Sequence, residues 1–294
     1  MVALFRFPKL IGAALAAGAL ITPSLAQSQD LPQAVLIDVE QVYEYRKPSQ
    51  IGFIELEDFE LPVLEYVEDM MFAANIDPLY PGDEAGEATI RITVRGRANG
   101  GIYMEPTKAY LYTGADITGD IEITGPGDTL VTATFASTIQ RPFQLTINLG
   151  YEDPFNAPFG TALEQPGGFI EELSYALAIA WGAQAIMPSL FEHEPAIRAG
   201  AATALGDIGD PIAVPDLLDA LYDEDARVRW ESAWSLGRIG DPVAVPELID
   251  ALRDESPDVR WFSSWSLRAL TGEDFGLDHE LWSAWLSEQP DVQG

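Results

Sequence analysis

The chain has 294 residues and no cysteine, so neither disulfide bonds nor thiolate metal sites are available to it. Its 47 acidic residues outnumber its 16 basic ones, and the resulting net charge of −31 repels nucleic acid and anionic lipid surfaces. An acidic, lysine-poor composition is typical of proteins that stay hydrated in a salty medium. A calcium site and a basic partner are the alternative explanations.

Residues 1–26 have the pattern of a secretory signal. Arg6 and Lys9 form a short basic region, residues 10–21 form an uninterrupted apolar core, and small residues up to Ala26 suit cleavage. A membrane anchor is the alternative, but the apolar run is short for a bilayer. We therefore expect a periplasmic or secreted protein that has no membrane span after cleavage and carries a net charge of −33, from 47 acidic and 14 basic residues.

Residues 31–160 combine strand patterns with one helix. A helix is predicted over 61–74, where apolar residues share one face and Pro62 stands near the start. Turn signals at 99–101 and 125–128 separate segments in which apolar and polar residues alternate. One helix against an antiparallel sheet predicts a small α+β domain. The predicted strands lie at 35–37, 51–56, 90–95, 109–112, 117–124 and 130–137.

Residues 168–190 are predicted to form a connecting helix and a degenerate capping half-repeat. Before them, residues 141–168 are rich in Pro, Gly and Asn but also in aromatic residues, which predicts an ordered segment. An alanine-rich helix is then predicted from Phe169 to about Ile186. Its two glutamates argue against a membrane span, so we expect it to pack between two domains. Pro188 opens a shortened half-repeat, as the end of a solenoid requires.

A 31-residue unit occurs almost three times between residues 198 and 272. The copies begin at Arg198, Arg229 and Arg260 and align without a gap. In the second copy, Gly240 suits the end of one helix and Asp241 suits the cap of the next. A fixed period of this length predicts a solenoid of helix pairs. The recurring Arg residues are expected to tie adjacent turns together by pairing with the recurring Asp210 and Asp241.

The pattern VRxxxAxxLGxIGDPxAVPxLxxAL resembles the short HEAT-like repeats of the phycobilisome-lyase type, over about residues 185–287. The resemblance implies an α-solenoid of helical hairpins over 191–287, with Trp282 and Trp285 closing its C-terminal end. Some HEAT-like proteins are di-iron hydroxylases with His-Glu pairs just after the VR motif. Here those positions hold Ala199-Gly200, Trp230-Glu231 and Trp261-Phe262, so that activity is not expected, and neither is lyase activity.

Four tryptophans stand outside the apolar stripe of the repeats, two per copy and one helical turn apart. Stacking of the copies would align their indoles into one patch with a charged residue on each side, and exposed aromatic clusters of this kind often mark interaction sites. Two alternatives to a binding site for an external partner remain. The patch is covered by the N-terminal domain or by a second copy of the chain, or its tryptophans serve helix packing alone. The candidate binding residues are Trp230, Trp234, Trp261, Trp265, Glu231 and Arg238.

No catalytic residue, metal site or cofactor is predicted. The only histidines, His193 and His279, lie at opposite ends of the repeats, and no HExxH, paired CxxC, phosphate-binding glycine loop or GxSxG motif occurs. Acidic clusters at 219–225 and 250–255 are expected to be solvated, with a weak calcium site as the alternative.

The predicted fold class is α+β, with a small antiparallel-sheet N-terminal domain and a helix, followed by a C-terminal α-solenoid of HEAT-like helical hairpins. The predicted function is that of an exported, non-enzymatic scaffold that binds a protein partner, with homo-oligomerisation left open. The alternatives are an accessory or maturation factor for an envelope enzyme, and a glycan-binding module that uses the tryptophan patch.

Overall fold

The computed structural model describes residues 31–45, 54–55, 62–83, 86–99, 102–104, 109–111, 114–125, 129–140 and 162–289. The predicted signal over 1–26 and the aromatic-rich stretch 141–161 lie outside these residues. Within the described part of the chain, no helix is both long enough and apolar enough to cross a bilayer.

The N-terminal part is a mixed sheet, and a separate hairpin lies beside it in the sequence. The strands of the sheet are β1 (Ala34–Tyr45), β2 (Ile54–Glu55), β3 (Asp77–Leu79), β4 (Ala88–Asn99), β7 (Gly114–Gly125) and β8 (Thr129–Gln140), and the hairpin consists of β5 (Ile102–Met104) and β6 (Ala109–Leu111).

The strand order in the sheet is β2-β1-β4-β7-β8, and β3 pairs with β1 off this path. Helix α1 (Val63–Ala73) carries the chain from β1 to β4, which run parallel, whereas β4, β7 and β8 are antiparallel neighbours. The predicted α+β class is confirmed, but the sheet is not wholly antiparallel, because a helical crossover returns the chain in the same direction.

The two faces of the sheet differ in polarity. On β4, Ile92 and Val94 are buried while Arg91 and Arg95 are exposed, as the alternating pattern predicts. Arg91 bonds Asp38 of β1 at 3.1 Å on the polar face. The buried side chains of α1 join the same hydrophobic core as the apolar face.

The C-terminal part is a stack of helix pairs, which confirms the predicted solenoid. Its helices are α2 (Phe169–Trp181), α3 (Pro195–Ile208), α4 (Val214–Ala220), α5 (Ala226–Ile239), α6 (Val245–Ala251), α7 (Pro257–Thr271) and α8 (His279–Ser287). The first helices of successive repeats, α3, α5 and α7, lie side by side, and the short helices α4 and α6 alternate with them. Gly209 and Gly240 end the first helices with φ of +72° and +85°, a backbone conformation that favours glycine.

Helix α2 is the first helix of an additional repeat. It ends at Trp181 and not near Ile186 as predicted, because Gly182 adopts a φ of +88°. Gly182 precedes Pro188 by the same spacing with which Gly209 precedes Pro215, so the chain leaves both helices in the same register. The second helix of this repeat is reduced to a 3-10 segment, Met187–Phe191.

The sheet packs on α2, which also contacts α3. The ring of Phe169 meets that of Phe135 on β8 edge-on, with 5.3 Å between centroids. At the other end of α2, a Cβ added at Gly125 of β7 would lie 3.2 Å from the indole nitrogen of Trp181. Leu173 is fully buried and occupies the position that faces the preceding helix in later repeats. The sheet therefore takes the place of a preceding repeat and closes this end of the array.

Candidate functional site

Neighbouring first helices approach each other through glycine and serine. A Cβ added at Gly237 of α5 would lie 2.3 Å from the hydroxyl oxygen of Ser266 on α7, and Gly206 of α3 meets Ser235 of α5 in the same way. The buried Ser266 hydroxyl donates a 2.7 Å hydrogen bond to the carbonyl of Ala233. This close approach, which the small residues predict, brings the outer side chains of α5 and α7 together.

Buried arginines hold consecutive repeats in register. The guanidinium of Arg229 forms a bidentate ion pair with Asp254, with 2.8 Å between Nε and Oδ2 and 3.0 Å between Nη2 and Oδ1. It also donates hydrogen bonds to the carbonyls of Asp223 and Glu224. Arg198 binds Asp223 in the same way. Pairing between repeats was expected, but with other partners: Asp210 and Asp241 lie at the far end of the first helix and cap the next turn instead, through the amides of Ile212 and Val243.

Asp223 and Asp254, from the acidic clusters that were predicted to be solvated, are instead partly buried partners of these arginines. The side chains of Asp223 and Asp254 are only 11% and 14% exposed, because each is enclosed by the arginine of a neighbouring turn. Their neighbours Glu224 and Glu255 are 86% and 89% exposed, as expected for solvated residues. Within the described ranges, no group of His, Asp or Glu residues is arranged as metal ligands.

The four candidate tryptophans meet between α5 and α7, and a phenylalanine lies among them. We call these five residues the aromatic cluster. The distances between ring centroids are 4.1 Å for Trp234–Trp265, 4.7 Å for the stacked pair Trp230–Phe262 and 4.9 Å for the perpendicular pair Trp261–Phe262.

Phe262 joins the cluster and was not among the predicted residues. It stands at the position that faces the preceding helix, which Gly200 occupies in α3 and Glu231 in α5. A residue that differs in every copy gives no periodic signal, so repeat alignment alone overlooks it. The signal that remains is local: Phe262 directly follows Trp261 on a helix whose other outer positions are aromatic.

The cluster is open on one side. Trp261 is 53% exposed, whereas Trp230, Trp234 and Trp265 are half-buried by one another and by Phe262. Rings packed in this way have few alternative rotamers, so the surface around Trp261 is formed in advance of any binding. The structure thus brings the predicted tryptophans together, and their role in binding stays a prediction.

Glu231 does not flank the cluster at the surface as predicted. It is only 4% exposed, because its position faces α3, where it lies beside Thr203. Burial, reinforced by the nearby Glu171, raises the pKa of Glu231 to about 8, and Arg227 and Thr203 only partly oppose this shift. The carboxyl is therefore a buried group between helices and is not available to a partner.

Arg238 is engaged with its own chain. Its guanidinium forms an ion pair with Asp207 of α3, and each side chain is 30% exposed. Arg238 therefore links α5 to α3 on the side of the cluster that is nearer the sheet.

A family model described as HEAT repeats matches residues 183–273. No curated protein matches the chain. Human deoxyhypusine hydroxylase in complex with glycerol is similar at 25% identity and a TM-score of 0.32, over 42% of this chain and 41% of that one. The complex of CpcE and CpcF of phycocyanin lyase from Nostoc sp. PCC7120 is similar at 17% identity and a TM-score of 0.29, over 50% and 74%.

An engineered protein shares 18% identity at a TM-score of 0.28, over 37% of this chain and 51% of its own. The chain thus spans about two fifths of the hydroxylase and half of the engineered protein. Because all three TM-scores are below 0.5, these similarities carry no argument about activity. The family match, the 31-residue period and the stacked helix pairs agree on one conclusion: the C-terminal part of this chain, over residues 183–273, is an array of HEAT repeats.

Proposed function

We propose that this chain is an exported, non-enzymatic scaffold that binds a basic segment of a partner protein at the aromatic cluster. HEAT repeats indicate a protein-interaction scaffold, which supports this role. The observation that carries the proposal is Trp261, an indole that is 53% exposed beside four rings already packed together.

The cluster has the properties of a binding hot spot. Tryptophan is enriched among the interface residues that contribute most to affinity, and such residues lie next to well-packed neighbours. Here Phe262 contacts three indoles and fixes the ring of Trp261 against α7. A partner side chain placed on Trp261 would immobilise little that is not already ordered, so most of the contact energy would appear as affinity.

The charges around the cluster favour a cationic partner. Asp258 lies one helical turn before Trp261 on α7 and is exposed, and Glu255, two residues before that helix begins, is 89% exposed. A Lys or Arg side chain over an indole gains about 0.5–2 kcal/mol, in addition to its attraction to these carboxylates. The arginines of α5 and α7 are already bonded within the chain, so these carboxylates face a partner without a competing free cation on the two helices. The acceptors are Glu164 for Arg227, Asp254 for Arg229, Asp207 for Arg238, the carbonyls of Asp254 and Glu255 for Arg260, and Asp274 for Arg268.

A glycan-binding role is less well supported by the geometry. Sugars stack on free indole faces, but Trp234 and Trp265 cover one another, and Trp230 stacks on Phe262. Within the aromatic cluster, Trp261 alone offers a largely exposed ring. An accessory factor for an envelope enzyme would use the same binding surface, so the binding experiment applies to it as well.

Titration of two short peptides tests the proposal. In one peptide Arg alternates with Leu, and in the other Glu replaces each Arg. We expect the Arg peptide alone to bind, measured by calorimetry, and Trp261→Ser to weaken it at least tenfold, about 1.4 kcal/mol. The matched control is Phe191→Ser, which alters an aromatic residue that is 61% exposed outside the cluster and should leave the affinity unchanged.

Equal binding of the two peptides, or equal weakening by the two variants, would refute a basic partner at the cluster. If neither peptide binds, and neutral oligosaccharides quench the tryptophan fluorescence of the unmodified chain but not that of Trp261→Ser, the glycan alternative is the better account.

Export rests on the sequence of residues 1–26 and is tested separately. After expression in a bacterium with an intact secretion system, mass spectrometry of the purified chain should give an N-terminus at Gln27. A chain that retains Met1 and stays in the cytoplasm would reject export without affecting the proposed binding surface.

A further inference from the structure

Strand β8 forms an edge of the sheet. It pairs with β7 in an uninterrupted register from Thr129 to Gln140, and no other described strand pairs with it. Among the described residues, no backbone group of β8 is bonded to an element other than β7. A strand edge of this kind presents a row of N–H and C=O groups that can pair with another chain.

Natural proteins usually protect such an edge with charged residues, proline or a bulge. Strand β8, with the sequence TLVTATFASTIQ, has no charged residue and no proline, and its register with β7 contains no bulge. The other strands of similar length, β1, β4 and β7, all contain charged residues. On the far side of the sheet, β1 is additionally flanked by the short strands β2 and β3.

The outward side chains of β8 suit pairing with an identical strand. In an antiparallel pair of two β8 strands, neutral residues stand opposite neutral residues, and Thr–Thr pairs stabilise the contact without opposing like charges. On the other face Phe135 and Ser137 are buried, which holds the strand against the rest of the sheet. The outward residues are Leu130, Thr132, Thr134, Ala136 and Thr138, all of them exposed.

We propose that β8 pairs antiparallel with β8 of a second copy, so that two sheets join into one continuous sheet across a twofold axis. A twofold contact requires a patch that is complementary to itself, and a uniformly neutral, threonine-rich edge meets this requirement. With a net charge of −31, two copies repel each other over most of their surface. The electrostatic repulsion between the two copies is smallest where their uncharged β8 edges meet.

The charge also predicts how the dimer responds to salt. Because salt screens the repulsion between the two acidic bodies, the dimer should become more stable between about 0.05 M and 0.5 M NaCl. A dimer held by ion pairs would weaken over the same range.

Sedimentation velocity of the purified chain, with Thr134→Lys and the matched control Thr118→Lys, tests the pairing. Both positions are exposed on the polar face of the sheet, but Thr118 lies on the interior strand β7. We expect a monomer–dimer equilibrium in the unmodified chain, a dissociation constant raised at least tenfold in Thr134→Lys, and no change in Thr118→Lys.

Single cysteines then report the register, since the chain has none of its own. Among Thr132→Cys, Thr134→Cys and Ala136→Cys, the residue nearest the twofold axis should cross-link to its counterpart under mild oxidation far more readily than the other two. A chain that stays monomeric at all concentrations and salt levels, equal effects of the two lysine variants, or equal cross-linking at all three positions would overturn the proposal. So would growth into larger species, because a twofold contact closes.

Discussion

The two ends of the HEAT array fill the same helix positions with opposite kinds of residue. On α3, which packs between α2 and α5, the outer positions hold Ala199 and Thr203, which are 0% and 9% exposed. On α7 the same positions hold Trp261 and Trp265, and Trp261 is 53% exposed. The repeat register determines where a side chain stands, and the neighbour on the next layer determines what that side chain can do. Small residues fill these positions on α3, whereas on α7 they are aromatic and Trp261 faces solvent.

The C-terminal cap explains why the aromatic end stays open. Helix α8 contacts α6 and buries Trp282 completely, so it closes the second-helix side of the last repeat, as the sequence predicts. The Trp282 ring meets that of Phe275 edge-on at 4.9 Å. The outer side of α7 has no such cover among the described residues, and Trp261 lies there.

The largest expected effect compares an internal arginine with the last one. Arg229 is bonded to Asp254 of the following repeat. Among the described residues Arg260 bonds only carbonyls, because the position one repeat after Asp254 is Trp285. Replacing Arg229 with Ala leaves Asp254 buried without its partner and should lower the free energy of unfolding by about 3–5 kcal/mol. Arg260→Ala should cost about 1–2 kcal/mol.

Urea denaturation followed by circular dichroism measures both costs. If the two variants lose the same stability, the ion pair is not what distinguishes the interior of the array from its end.

The second prediction concerns the buried carboxyl of Glu231 on α5, the helix between α3 and α7. The pKa of Glu231 is about 8 in the folded chain against an ordinary value of 4.5, so the folded chain keeps a proton that the unfolded chain releases between these values. Its contribution to the free energy of unfolding is therefore fully present below pH 4.5 and is lost as the pH rises to 8. At pH 7, Glu231→Gln should be more stable than the unmodified chain by on the order of 3 kcal/mol.

The measurement is the difference between the two unfolding free energies across pH 5 to 8. This difference should widen with rising pH. Parallel curves would show that Glu231 is ionised and solvated, and that α3 does not cover it.

A third and smaller effect separates the packing of the cluster from its exposed surface. Phe262→Ala removes a half-buried ring that contacts three indoles and should cost about 2 kcal/mol. Trp261→Ser should change stability by no more than about 0.5 kcal/mol, because most of that side chain already faces solvent. Thermal unfolding distinguishes the two variants, and an equal loss would mean that Trp261 is part of the core.

The sequence repeats predicted most of the helical array but little of its first repeat, which begins with α2. The 31-residue period located α3 to α7, their glycine ends and their capping aspartates, because each copy repeats the same physical solution. Alignment of the repeats did not identify helix α2 as a repeat helix, because contact with the sheet changes its apolar residues. Trp181 occupies the position that Ile208 occupies in α3. The spacing from Gly182 to Pro188 was the remaining signal.

The candidate site was only partly predicted, because the sequence pattern does not show which neighbour each side of a helix contacts. Helical spacing located the four tryptophans, but it could not tell which side of α5 faces α3. For that reason Glu231 was expected at the surface and Phe262 was overlooked. The mixed sheet could not be derived from alternation either, because parallel and antiparallel strands alternate alike.

The central claim is that the aromatic cluster on α5 and α7 is an open binding surface for a basic segment, at the end of the array that the sheet does not cover. Oxidative footprinting read by mass spectrometry tests it residue by residue, with and without the Arg-containing peptide. We predict that Trp261 is oxidised readily in the free chain and protected by the peptide, while Phe191 is oxidised equally in both. Equal oxidation of Trp261 with and without bound peptide would contradict the claim.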